Sequence, residues 1–148
     1  QASDYLARFL ELSPKDVDSL RTQVRLLSEL KEHERVVAAA LALEVLEPAE
    51  VEAPLRRAFA LTQLNRLEEA DDPVRKVLAL EPNQPMALVI RCKILQQRED
   101  WPGVVRVCDR IFALKEPVSK STQDDLRGVR AEAVQRAAPA PTPPEGKD

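Results

Sequence analysis

Few side chains in this sequence could support catalysis. The single histidine, His33, has no cysteine or serine at a spacing that would make a nucleophile–base pair, and nucleophilic or acid–base catalysis needs several groups converging in a cleft. The acidic pairs Asp71-Asp72 and Asp124-Asp125 are better interpreted as helix caps. A glycine-rich phosphate loop is absent from the sequence. We therefore predict a protein that is not an enzyme and that holds no metal and no cofactor.

The two cysteines leave two interpretations open. Cys92 and Cys108 lack the C-x-x-C spacing of zinc and redox sites. They are either two small, buried, apolar side chains or a disulfide, which would require an oxidising compartment. The separation of their Cα atoms decides between the two, and sequence alone does not give it.

The composition predicts an all-α domain. Of the 148 residues, 44% are hydrophobic and only 3% are aromatic, and there are three glycines; β-sandwiches and barrels depend on aromatic strands and glycine turns. The net charge of −3 gives no reason to expect nucleic acid, and no apolar run is long enough to insert into a membrane. Because the chain begins "QASDYLARFL", without Met and within a helical pattern, we expect a fragment or processed form. Its compartment, cytoplasmic or periplasmic, is left open.

A pattern that ends a helix recurs at a fixed interval. Pro14, Pro48 and Pro82 each follow an apolar helical pattern and lie 34 residues apart, which is typical of stacked-repeat proteins. The interval divides the chain into units 17–50, 51–84 and 85–118. Each unit has two apolar stripes at helical spacing around a polar break. We therefore predict three helix hairpins, which bury their apolar faces by stacking.

These units resemble the tetratricopeptide repeat, a helix–turn–helix of 34 residues. A small residue at position 8, an Ala-like residue at position 20 and Pro at position 32 agree with that family, as do "LEEA" (67–70) and "LALEPN" (78–83). The resemblance covers roughly residues 2–117. It implies an α-solenoid in which the first helix of each hairpin lines a concave surface.

The sequence departs from the family pattern at three repeat positions, one of which is position 27, usually Ala, which is bulkier in all three units. Position 7, usually Leu, holds Gln23, Arg57 and Arg91, and position 15, usually Gly, holds Lys31, Asn65 and Glu99.

Pro73 also affects the helix prediction. With Asp72 as N-cap and Pro73 as the first helical residue, the second helix of unit 51–84 is predicted to start late. The alternative is a kink at Pro73.

Three further segments lie outside these units. Residues 1–16 match the second helix of a preceding repeat, with Tyr5, Leu6, Phe9 and Leu12 on one face. Residues 119–137 are predicted to form a capping helix. The Pro/Ala-rich residues 138–148 are predicted to be a disordered tail.

The resemblance also implies a binding surface on the first helices. Their groove positions mix basic and apolar side chains, and the first helices are net positive while the rest of the units is net negative. The peptide-binding residues implied are Arg21, Arg25, Leu55, Arg56, Phe59, Met86, Val89 and Lys93. We expect them to bind an acidic or amphipathic peptide or helix of a partner protein. Alternatively, the arginines pair with neighbouring glutamates and the apolar side chains pack against neighbouring helices.

Three functional hypotheses follow. The first is a non-enzymatic protein–protein interaction scaffold within a larger assembly protein, which the Ala- and Arg-rich composition suggests is bacterial. The second is a structural or self-associating segment of a longer repeat array, which would form homo-oligomers. The third is the docking domain of an enzyme whose catalytic part is not in this chain.

Overall fold

A computed structural model describes residues 17–138 of the chain. These residues form seven α-helices: α1 (Val17–Glu29), α2 (His33–Leu46), α3 (Glu52–Gln63), α4 (Leu67–Leu80), α5 (Pro85–Gln97), α6 (Trp101–Phe112) and α7 (Lys120–Ala137). This stretch contains no strand, and the predicted all-α class is confirmed. The predictions for residues 1–16, and for the tail beyond residue 138, lie outside the described residues. No helix within residues 17–138 is both long and apolar enough to cross a bilayer.

The helices stack in two layers. Each helix packs against the next one along the chain, and in addition α1 contacts α3 and α3 contacts α5. The second helices α2, α4 and α6 make no such contacts with one another. Because only the first helices approach each other, they form the inner layer of a curved stack. The predicted solenoid of about three helix hairpins, followed by a further helix, is confirmed.

The core runs through the stack as three adjoining apolar clusters. The first joins Leu20 and Val24 of α1 to Val36 and Leu43 of α2, and it extends to Ala53 and Ala60 of α3. The second lies between α3, α4 and α5, and the third between α5, α6 and α7. Each cluster therefore crosses from one repeat into the next, which is how a hairpin with two apolar stripes buries both of them.

The turns inside the three hairpins have the same geometry. Two residues after each first helix ends there is a residue at positive φ, which is Lys31 (57°), Asn65 (59°) or Glu99 (57°). In the first hairpin the Glu32 N–H donates to the Leu27 carbonyl and the Lys31 N–H to the Ser28 carbonyl, which is the Schellman arrangement. The same two bonds recur 34 and 68 residues later. The resembled family usually has glycine at this position. In this chain Lys31, Asn65 and Glu99 adopt the left-handed conformation there.

The prediction of a late start for the second helix of unit 51–84 is wrong. Helix α4 begins at Leu67, directly after the turn at Asn65, and continues through Pro73. The Pro73 ring is buried. Its missing N–H leaves only the carbonyl of Glu69, one turn earlier, without a helical donor, and Glu69 is exposed to solvent. The turn geometry therefore sets the start of the helix, and Pro73 packs inside it.

The two acidic pairs do not cap helices, contrary to prediction. Asp71 and Asp72 lie within α4, and Asp124 and Asp125 lie within α7. Asp71 accepts from Arg75 at 2.9 Å, whereas Ser119 caps α7 by accepting from the Thr122 N–H at 3.2 Å.

A buried ion-pair network joins the first repeat to the second. Arg57 of α3 donates to both carboxylate oxygens of Glu44 on α2, at 2.6 and 3.0 Å, and to Asp72 of α4 at 3.0 Å. The residues Arg57 and Glu44 are only 8% and 7% exposed. Lys76 of α4 also lies 3.4 Å from Glu44. Although burying the guanidinium opposes its charge, the Glu44 and Asp72 hydrogen bonds prevail and raise the pKa of Arg57.

Helix α7 packs against α6 after the third hairpin. Leu126 and Ala133 are buried against α6, whereas most of the rest of α7 is polar and exposed. Arg130 donates to Asp109 of α6 at 2.7 Å, and the Arg136 guanidinium lies 4.7 Å from the centre of the Trp101 ring. A polar outer side is a feature of terminal capping helices, and the capping role of residues 119–137 stays a prediction.

Both cysteines are free thiols in the third repeat. Cys92 of α5 and Cys108 of α6 are buried, with their sulfur atoms 3.8 Å apart. The hydrogen bond with Cys108 and the burial of the thiol raise the pKa of Cys92. The structure therefore agrees with the interpretation of Cys92 and Cys108 as two small, buried side chains and not with a disulfide.

Candidate functional site on the concave surface

A cavity of about 480 Å³ opens on the inner layer of the stack. Its apolar lining comes from Val36, Leu55, Phe59, Ala60 and Met86, and its polar lining comes from Ser28, Glu29, His33, Glu52 and Arg56. The cavity therefore crosses all three first helices and includes the start of α2.

Two large apolar side chains at this cavity remain open to solvent. Phe59 on α3 is 40% exposed and Met86 at the start of α5 is 43% exposed. The His33 ring meets Phe59 edge-on, with 6.4 Å between ring centres and an angle of 69°, an arrangement that aromatic pairs favour. His33 therefore supports the orientation of Phe59 from the neighbouring helix.

Three arginines of the inner layer, Arg21, Arg25 and Arg56, are paired with glutamates. Arg21 donates to both oxygens of Glu47, at 2.5 and 2.7 Å. Arg25 donates to Glu52 at 2.8 and 3.1 Å, and Arg56 donates to Glu52 at 3.2 Å. The hydrogen bond from Arg25 is the main cause that lowers the pKa of Glu52, so Glu52 remains ionised and keeps both arginines engaged.

The structure brings together half of the residues that the sequence proposed for peptide binding. Leu55, Arg56, Phe59 and Met86 line the cavity. Of the others, Arg25 contacts the cavity only through Glu52, and Arg21 is directed to Glu47 in the loop after α2.

The two remaining candidates lie further along α5. Val89 is half-buried and packs against the third core cluster. Lys93 is exposed and makes no hydrogen bond or ion pair with residues 17–138. It lies two turns beyond Met86 on the same face of the helix, which is about 10 Å along the axis.

His33 and Val36 belong to the cavity but were not proposed from the sequence. The resemblance assigns groove positions to first helices, whereas these two side chains come from the first two turns of α2. The only indication in the sequence was that His33 carries the one aromatic ring near the first hairpin turn. The described part of the chain also holds no group of three or more His, Cys, Asp or Glu side chains that could bind a metal ion.

Comparison with solved structures identifies the fold. The chain superposes on the Sgt2 tetratricopeptide-repeat domain from Aspergillus fumigatus with a TM-score of 0.67 and 17% sequence identity, covering 90% of this chain and 91% of that one. It superposes on a MamA protein with a TM-score of 0.68 and 15% identity, covering 88% of this chain and 74% of that one. A MamA structure described as MSR-1 C2 gives a TM-score of 0.55 at 14% identity, covering 90% of this chain and 64% of that one.

These similarities establish a tetratricopeptide-repeat fold. At the level of sequence, no family model matches the chain, and no curated protein matches it. The resemblance noted in the sequence is thus confirmed through three-dimensional structure.

Proposed function

We propose that this chain is a non-enzymatic protein-interaction module, part of a larger assembly protein, whose concave surface binds an amphipathic segment of a partner protein. The observation that carries the proposal is the cavity between α1, α3 and α5, where Phe59 and Met86 stay 40% and 43% exposed. A volume of about 480 Å³ lies in the range of sites that enclose a ligand group. An apolar side chain of the partner would be held between Phe59 and Met86.

The charges around the cavity favour an amphipathic ligand over an acidic one. An acidic ligand would have to compete with Glu47 for Arg21 and with Glu52 for Arg25 and Arg56, and all three arginines already hold bonds of 2.5–3.2 Å. An apolar side chain needs no such exchange, because burying it in the cavity is favourable by itself. Polar groups at the rim then fix the orientation of the bound segment.

Two matched double variants test the proposal. Phe59→Ser/Met86→Ser removes the apolar anchor, while Leu41→Ser/Val45→Ser removes two side chains of α2 that are 43% and 76% exposed outside the cavity. Partners captured from a native lysate are compared by quantitative mass spectrometry, and the fold of each variant is checked by circular dichroism. We expect a partner that is retained by the wild type and the Leu41/Val45 variant and lost from the Phe59/Met86 variant. Equal retention by all three proteins would exclude the cavity as the binding site.

The single variant Lys93→Glu separates the two ligand classes. Because Lys93 makes no ion pair with residues 17–138, reversing its charge leaves the internal pairs intact. An amphipathic segment anchored between Phe59 and Met86 should lose less than about threefold in affinity, since a single exposed ion pair contributes little. A loss of a hundredfold or more would instead indicate that the ligand is recognised chiefly as an anion.

Self-association is a second candidate function, and one observation favours it. Leu41 and Val45 lie one turn apart on α2 and both face solvent, whereas the equivalent positions on α4 are Arg75 and Ala79. Light scattering at increasing protein concentration tests this candidate. A dimer that is abolished by Val45→Lys would support it, and a monomer at all concentrations would reject it.

A further inference from the structure

The interface between the second and third repeats (the second interface) carries only cations where the interface between the first and second repeats (the first interface) carries an ion-pair network. The network at the first interface has two carboxylates and two cations, which belong to Glu44, Asp72, Arg57 and Lys76. The residues 34 positions further along the chain are Leu78, Arg106, Arg91 and Arg110. A group of side chains that is neutral as a whole is thus replaced by three arginines and a leucine.

The hairpin fold brings two of these arginines together. In the second hairpin, Nη2 of Arg57 lies 3.0 Å from a carboxylate oxygen of Asp72, so side chains at these two positions reach each other from α3 and α4. The third hairpin has the same positive-φ residue and the same pair of backbone hydrogen bonds in its turn. It therefore places Arg91 of α5 and Arg106 of α6 opposite each other in the same way. Two cations so placed repel each other, and an anion between them replaces this repulsion by two attractions.

No carboxylate among residues 17–138 supplies that anion. Neither Arg91 nor Arg106 makes a hydrogen bond or ion pair with these residues. Leu78 stands where α2 has its glutamate, and it packs on the apolar core. Asp109, one turn beyond Arg106 on α6, is held by Arg130 of α7 at 2.7 Å. Because Arg91 is half-buried and Arg106 is exposed, an anion from solution can reach both.

Arg110 adds a third cation, one turn beyond Arg106 on α6. Its Nη2 atom donates to the Pro82 carbonyl and lies 3.4 Å from the Asn83 side-chain oxygen, which holds the side chain against the loop between α4 and α5. Its Nε and Nη1 atoms make no hydrogen bond within the described residues. A guanidinium that is already held in place loses less conformational freedom when it binds an anion.

We propose that Arg91, Arg106 and Arg110 form an anion-binding site on the outer side of the second interface, which takes the carboxylates of an acidic segment of a partner protein. The ligand class follows from the first interface, where carboxylate oxygens accept from Arg57 at 2.6–3.0 Å. Because two carboxylates act together there, neighbouring Asp or Glu side chains suit the site better than a single acid. The site is separate from the concave cavity, and the proposal does not depend on what the cavity binds.

Binding of a hexaglutamate peptide to the full chain tests the proposal, with hexaglutamine as the neutral control peptide. Calorimetry compares the wild type with Arg91→Gln/Arg106→Gln and with Lys93→Gln/Lys120→Gln, which removes the same charge from two exposed lysines of α5 and α7. We expect the affinity to fall roughly tenfold or more in the arginine variant and less than about threefold in the lysine variant. Equal loss in both variants, or no binding by the wild type, would overturn the proposal.

The variant Phe59→Ser/Met86→Ser keeps this test separate from that of the concave cavity. Both substituted side chains line the cavity, so this variant should bind hexaglutamate as tightly as the wild type does. Loss of hexaglutamate binding in a folded Phe59/Met86 variant would place the anion site in the cavity and overturn the proposal.

A variant that supplies its own carboxylates tests the geometry while keeping Arg91. Leu78→Glu/Arg106→Asp places carboxylates at the positions that Glu44 and Asp72 have at the first interface. Hexaglutamate should raise the urea midpoint of the wild type, because a ligand that binds only the folded state stabilises it. It should leave the midpoint of this variant unchanged. An equal rise in both proteins would overturn the inferred arrangement.

Inorganic phosphate distinguishes a carboxylate ligand from a phosphate ligand. Phosphate added at constant ionic strength should displace labelled hexaglutamate less effectively than unlabelled hexaglutamate does, because one small ion cannot replace several linked carboxylates. Displacement by phosphate at lower concentration than by the unlabelled peptide would overturn the assignment of the ligand class.

Discussion

The two interfaces between consecutive repeats use position 7 in different ways. At the first interface Arg57 is 8% exposed and holds Glu44 of α2 and Asp72 of α4 within 3.0 Å. At the second interface Arg91 occupies the same position, but the residues equivalent to Glu44 and Asp72 are Leu78 and Arg106. Arg91 is half-buried and makes no hydrogen bond or ion pair with residues 17–138.

The difference shows how a repeat protein accommodates a charge where its family has leucine. A guanidinium can be buried between helices when carboxylates from two of them satisfy its donors. Without those carboxylates the same residue stays closer to solvent, where its apolar stem can pack while its charged end remains hydrated. Chemical neighbours, and not repeat position, decide how deeply position 7 is buried.

The largest effect is expected from breaking the first interface. Arg57→Leu leaves Glu44, which is 7% exposed, with only Lys76 at 3.4 Å. Removing one member of a buried ion pair costs about 3 kcal/mol or more, so the urea midpoint should fall steeply. Glu44→Leu/Arg57→Leu removes both charges and should recover most of the loss. A double variant no more stable than Arg57→Leu would show that burial of Glu44 is not the source of the cost.

The same substitution at the second interface should have a small effect of opposite sign. Arg91→Leu removes a half-buried cation that has no carboxylate partner among the described residues and places an apolar side chain against Leu78. We expect the free energy of unfolding to rise by about 0.5–1 kcal/mol, measured by urea unfolding beside Arg57→Leu. If both variants lost equal stability, the two interfaces would be energetically alike.

The hairpin turns provide a comparison in which the repeats should behave alike. Lys31, Asn65 and Glu99 all have φ near 57–59°, and a residue with a Cβ is strained in that region. Lys31→Gly and Glu99→Gly should each raise the free energy of unfolding by about 0.5 kcal/mol. Asn65→Gly should raise the free energy of unfolding by less, because asparagine already tolerates this conformation. Thermal melts of the three variants measure the order of these stability gains. A lower melting temperature in Glu99→Gly would contradict the prediction.

The smallest expected effect is a change in acid sensitivity. The hydrogen bond from Arg57 is the main cause that lowers the pKa of Asp72. A carboxylate with a lowered pKa in the folded state stabilises the fold above the pKa of the unfolded chain, which for Asp is about 3.9. That stabilisation disappears as the pH falls through the folded-state pKa. The urea midpoint of Asp72→Asn should therefore depend less on pH between about 5 and 2 than that of the wild type. If the urea midpoints of both proteins changed equally with pH, the ion pair of Asp72 with Arg57 would contribute no measurable pH-dependent stability.

The fold could be predicted from the sequence because the repeat supplies the same information three times. Pro14, Pro48 and Pro82 mark the period, and the apolar stripes of each unit identify two helices with a turn between them. The uninterrupted course of α4 through Pro73 could not be predicted in this way. The sequence rule for proline concerns one helix by itself, whereas the turn at Asn65 and burial of the ring between helices fix the observed start.

The candidate site was predicted only in part. Phe59 and Met86 were proposed because apolar groove positions of a first helix have no reason to face solvent, and both are exposed at the cavity. The pairing of Arg25 with Glu52 depends on side-chain directions between α1 and α3, at residues 27 positions apart in sequence, which periodicity does not give. The contribution of His33 depends on how closely α2 approaches α3, and this distance is likewise not in the sequence.

The backbones of the first helices approach one another while those of the second helices do not, and this has a mechanical consequence. A rotation of one repeat about the inner edge of the stack would change the gaps between second helices more than the contacts between first helices. The Glu44 link to Arg57 and Lys76 ties α2 to α4 across the outer gap, so the joint between the first two repeats is stiff. Residues 17–138 contain no such tie between α4 and α6, and across this second joint Arg110 of α6 donates to the Pro82 carbonyl in the loop after α4. We therefore expect the first joint to resist bending more than the second, and Met86, carried on α5, lies beyond the second joint.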